Sequence, residues 1–133
     1  MKLRNISTTL LILVTLGLAG PAFAEKIGVT FQGDQALENA ISASLKGDGH
    51  EIVDISSAAR GARLDSVAAA SIGKSTGAQI IVSGKKLGSV IVIKVLSTKN
   101  DTVAGGTCPA GNNGAAADTV KKILSDNKAK MTR

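Results

Sequence analysis

Short apolar runs alternate along this chain with polar, glycine-bearing breaks, and the period of the runs switches between two and about 3.6 residues. Lys26-Ile27-Gly28-Val29-Thr30-Phe31 alternates at period two and predicts a first strand. After a turn at Gly33, Asp34 is placed to cap a helix with Glu38 in its first turn. Leu37, Ala40, Ile41, Ser44 and Leu45 then share one helical face, and Gly47-Asp48-Gly49 ends it. Glu51-Ile52-Val53-Asp54-Ile55 is a β-branched run and predicts the second strand. A second helix is expected over Asp65 to Ser75, with Leu64, Val67, Ala68, Ser71 and Ile72 as its inner stripe and Gly77 as its left-handed stop.

Ala78 to Gly84 is almost continuously apolar, the signature of a strand covered on both faces or central in a sheet. A tight connection at Lys85-Lys86-Leu87-Gly88 leads into Ser89–Ser97, the longest expected strand. Lys99-Asn100-Asp101 turns the chain, and Thr102–Gly105 forms a last strand. A Gly/Asn loop through Gly114 precedes a final helix over Ala115–Lys130, with Val120, Ile123 and Leu124 inward. The order βαβαβββα predicts an α/β (α+β) fold: a single mixed sheet that ends in an antiparallel meander, with the helices packed on it.

Residues 1–24 carry a different pattern. Lys2 and Arg4 precede the apolar run Leu10–Ala19, Gly20 and Pro21 break it, and Ala22-Phe23-Ala24 offers a small-x-small cleavage site before Glu25. This is the pattern of a secretory signal peptide, and it predicts one domain over residues 25–133, periplasmic or secreted, with no transmembrane segment in the mature chain. Lys2 and Arg4 leave with the leader, so the formal charge falls from +6 to +4. The remaining charges are interspersed, which argues against nucleic-acid binding and leaves open a mild attraction to acidic polymers or a peripheral contact with anionic lipid. Phe31 is the one aromatic residue after the leader, which argues against base stacking as a recognition mode.

Candidate chemistry is sparse. Gly73-Lys74-Ser75-Thr76 matches the end of a phosphate-binding loop, but the required earlier glycine is Ala68 and the fragment closes a helix instead of opening one. His50 is the only histidine and has no second ligand nearby for a metal, and no nucleophile–base pair or carboxylate pair stands out. The sequence therefore predicts no catalytic residue, no cofactor and no metal site. The candidate partner or ligand contacts are Arg60 and Arg63, which flank Gly61, the Lys85-Lys86 pair, and the single cysteine, Cys108, beside Pro109.

The stretch Asp65–Gly84 reads as a helix, then Gly77-Ala78-Gln79, then an apolar strand that ends in Ser83-Gly84. With Lys26-Ile27-Gly28-Val29 and Glu51-Ile52-Val53-Asp54 at the front, it resembles the α/β domain of curli-secretion-channel-like (CsgG-like) periplasmic proteins, which is similar to LpoB-type activators of penicillin-binding proteins and to the TolB amino-terminal domain. Those channel proteins and activators are typically lipoproteins, whereas Glu25 stands where an anchoring cysteine would be, and there is no room for membrane-inserting hairpins. The resemblance thus implies a non-catalytic envelope domain that binds protein partners. The other function class that remains is a periplasmic binder of a small ligand or an anionic polymer.

Overall fold

The computed structural model describes residues 25–31, 34–60 and 64–131; the leader, Gly33 and Arg63 lie outside them. Within that range run β1 (Lys26–Phe31), α1 (Gln35–Gly47), β2 (Glu51–Val53), α2 (Ser56–Ala59), α3 (Ser66–Thr76), β3 (Ile80–Leu87), β4 (Val90–Ser97), β5 (Val103–Pro109) and α4 (Asn113–Met131). The strands form one mixed sheet in the order β2-β1-β3-β4-β5. β1 is parallel to β2 and β3, and the rest is an antiparallel meander. The expected fold class is the one observed.

Side-chain alternation along the strands builds two cores. Ile27, Val29, Phe31, Ile80, Val82, Ile91, Ile93, Val95 and Cys108 point to one face, where α1 supplies Leu37, Ile41 and Leu45 and α4 supplies Val120, Ile123 and Leu124. Ile81 and Leu96 point to the other face and meet Ile55, Ala59, Ala69 and Ile72. β2 and β3 lie on opposite sides of β1, so crossovers of one hand must place α1 and the α2–α3 pair on opposite faces. Ile80, Ile81, Val82 and Ser83 are all buried, as a central strand requires.

Four local expectations are corrected. β2 stops at Val53, because the Asp54 carboxylate accepts from the Ser56 N–H (2.9 Å) and hydroxyl (2.7 Å) and starts α2. Ile55, no longer in a strand, drops over Gly28 into the second core. α3 is capped by Asp65, whose carboxylate accepts from Ala68 N–H, but its inner stripe is Ala69 and Ile72; Val67 is 78% exposed on the outer side. Lys85–Leu87 belong to β3, and the hairpin turn is Gly88-Ser89, with Gly88 at φ 63°.

The fourth correction has the largest consequence. β5 runs on to Pro109, through residues expected to be a loop. The glycines there serve close approach, not flexibility: a Cβ on Gly106 would sit 3.1 Å from Ile123 Cδ1 of α4, and one on Gly105 would sit 3.1 Å from the Ile93 carbonyl oxygen.

Candidate functional site

Two regions compete for the site. The first is a pocket of about 230 Å³ lined by Glu25, Leu45, Asp48, His50, Ile80, Lys121, Leu124, Ser125 and Lys128. It lies before β1 and β2 and beside the end of α1. His50 is half-buried, and its Nδ1 is enclosed with no hydrogen-bond partner among the described residues. Lys121 and Asp48 pair across the wall at 3.5 Å. The walls thus mix acids and bases without a net demand for one charge. The pocket also opens at the amino ends of the parallel strands, whereas open α/β sheets bind ligands outside the carboxyl ends. Among the described residues no group of His, Cys, Asp and Glu could hold a metal.

The second region is the β3–β4–β5 part of the sheet face that carries α2 and α3. Those helices reach Leu96 and Thr98 of the β4 end, where Thr98 fills the space above Gly73 of α3. Beyond that row no helix covers the face among the described residues, although Ser83 is still buried there. The registers set Leu87 opposite Val90 and Val90 opposite Pro109, then Lys85 opposite Val92 and Val92 opposite Thr107, then Ser83 opposite Lys94 and Lys94 opposite Gly105. Leu87 is 52% exposed, Val90 38% and Val103 49%. A shallow trough of about 420 Å³ is lined by Val92–Lys94 of β4 and Val103–Thr107 of β5. Lys85 and Lys94 are the charged residues in these rows, and no acid lies among them; the Lys94 Nζ donates to the Leu64 carbonyl at 3.2 Å. Contiguous exposed apolar residues rimmed by polar ones mark interaction surfaces.

The candidate contacts are not gathered in one place. Lys85 lies on the bare face. Lys86 is exposed but alternates to the other face, opposite Ile91. Arg60 is exposed at the end of α2. Cys108 is free, buried, and part of the core on the side of the sheet that α4 covers, so it leaves the set of surface contacts. Leu87, Val90, Val92, Val103 and Thr107 were missed. Their signal was readable: both alternating sets of β4, Ile91-Ile93-Val95 and Val90-Val92-Leu96, are mainly apolar, yet the helices on one side are too short to cover the second set.

No family model matches the chain, and no curated protein does. A solved structure does. TolB from Acinetobacter baumannii superposes with a TM-score of 0.55 at 14% identity, over 77% of this chain and 29% of that one. The fold is TolB-like. The likeness carries the TolB part of the sequence resemblance and speaks for architecture; the chain spans less than a third of that TolB's length. No helix among the described residues of this TolB-like fold is long and apolar enough to cross a membrane.

Proposed function

We propose that this chain is an exported, non-catalytic interaction module of the bacterial cell envelope, and that it receives a protein partner on the bare β3–β5 face. The observation that carries the proposal is the exposed pair Leu87 and Val90, with Val103 exposed at the far end of β5, on a part of the sheet face where no helix packs against them among the described residues. Burial of such a patch releases about 25 cal/mol per Å², enough to drive association when the shapes fit. The leader pattern of Met1–Ala24 and the TolB-like fold both support an envelope location, in the periplasm or outside the cell. The β3–β5 rows from Ser83 to Leu87 carry Lys85 and Lys94 and no acid, which favours an apolar partner surface with acidic neighbours.

The test is photo-crosslinking in living cells from a residue placed at Val90 or Val92, with Gln35 on α1 as the control site. The expected result is one envelope protein joined from the face positions and absent from the control. Equal labelling from Gln35, or none from Val90 and Val92, rejects the proposal.

A further inference from the structure

We propose that two copies of this chain join edge to edge through β5, so that one sheet runs through both, about a two-fold axis at Gly105. This rests on backbone geometry and is independent of the partner-binding reading.

β5 is the outer strand of the sheet. Its pairing with β4 fixes which backbone groups remain. Ser97 N–H donates to the Thr102 carbonyl at 3.0 Å, and Ala110 N–H donates to the Ser89 carbonyl at 2.8 Å. Bonded and non-bonded pairs alternate in an antiparallel ladder, so Ala104, Gly106 and Cys108 also turn their backbone groups to β4. Val103, Gly105 and Thr107 turn both N–H and C=O outward, and Pro109 presents only its carbonyl.

Edge strands are usually guarded by charge, bulges, proline or brevity. β2, at the other edge, is three residues long. β5 is seven residues long, carries no charged side chain, and keeps an unbroken register with β4 from Val103 to Pro109. Its one proline is its last residue.

The free edge is complementary to itself. An axis at Gly105 sets Gly105 against Gly105 and Val103 against Thr107 of the second copy. Every residue so matched is an outward one, and each pair exchanges both N–H···O bonds. Pro109 falls opposite Asp101 of the second copy, before that copy's β5 begins, so its missing N–H loses nothing. Moving the axis to Gly106 would set Pro109 against Val103 and lose a donor; moving it to Ala104 would push Thr107 past the strand end. On the bare face Val103 would meet Thr107 of the second copy, and the two uncovered faces would become one surface. Lys94 sits opposite Gly105, so each copy brings a cation near the axis; this repulsion is screened by salt.

The test expresses the full chain in a bacterium, takes it as the cell processes it, and measures mass by light scattering with amide exchange by NMR. Expected are a dimer that strengthens with salt, and concentration-dependent protection of the Val103, Gly105 and Thr107 amides, at least roughly tenfold between dilute and concentrated samples. Thr107→Pro removes an outward donor and should give a monomer. Should that variant misfold by circular dichroism, the exposed-site double variant Val103→Lys/Thr107→Lys takes its place, with four lysines facing across the axis. A monomer at every concentration with freely exchanging amides at these three positions overturns the proposal. So does a dimer that survives both variants.

Discussion

Single residues settle how the phosphate-loop fragment should be understood. Gly73 lies in the last turns of α3, and a Cβ there would come 2.5 Å from Thr98 Cβ and 2.8 Å from its Oγ1. Thr98 cannot step aside, because its hydroxyl donates to the carbonyls of Ala78 (2.8 Å) and Gln79 (3.1 Å). The glycine is therefore a helix–sheet contact. Gly73→Ala should lose about 1–3 kcal/mol by denaturant unfolding, and Lys74→Ala, at an exposed position, less than about 0.5 kcal/mol. A phosphate site would reverse that ranking in a nucleotide-binding assay. Asp54 gives a pH signature. The hydroxyl of Ser56, and then its N–H, hold the carboxylate below its ordinary range. A depressed folded value means stability that is present above the unfolded value and fades as pH falls through the folded one. The melting temperatures of wild type and Asp54→Asn should therefore differ at neutral pH and converge in strong acid. A constant difference across that window would contradict the assignment.

At the scale of elements, what could be read from the sequence was whatever depended on local period and caps. Asp34 accepts from Leu37 N–H at 3.0 Å and Asp65 from Ala68 N–H at 2.9 Å, so both helix starts were legible as short-range chemistry. The inner face of α3 was not, because Ala69 and Val67 differ too little in pattern; tertiary contact chose the small residue for the close packing against the sheet. The full length of β5 was hidden by its glycines, which look like a loop until α4 is seen lying on Gly106. The seat of α4 was equally invisible. Its last turn is held by the β4–β5 turn: the Ser97 hydroxyl donates to the Met131 carbonyl at 2.8 Å, and Asn100 Nδ2 donates to the Lys130 carbonyl at 3.0 Å. Ser97 is fully buried, and its oxygen also accepts from Lys99 N–H at 3.1 Å. Ser97→Ala leaves both groups unpaired and should cost about 1–3 kcal/mol. Amide exchange should rise first in the last turn of α4 and in residues 98–101, not in α1.

At the scale of the whole molecule, arithmetic of coverage explains why a surface is left over. Five strands span about 20 Å, and a helix with its side chains covers about 10 Å. On one face α1, of 13 residues, and α4, of 19, together match that width. On the other, α2 has four residues and α3 has 11, and they sit over β1, β3 and the end of β4. The length of α3 was close to the Asp65–Ser75 expected from the sequence, but α2 was not expected, and the place of the uncovered strip on β3–β5 needed the strand order. Leu87 and Val90 belong to neither core cluster, which makes stability and binding separable at those two positions. Leu87→Asp, at a half-exposed position opposite Val90, should change unfolding free energy by less than about 0.5 kcal/mol. The same change puts a carboxylate against Val90 at the hairpin end of the apolar patch, where desolvating it under a partner costs far more than the lost leucine contact. Crosslinking from Val92 to the envelope partner should then disappear while the melting curve stays put. If both survive, the partner docks elsewhere; if both fail, Leu87 belongs to the core after all. Only loss of capture with the fold intact assigns this strip to recognition, because a residue that stabilises nothing inside the molecule has its energetic role outside it.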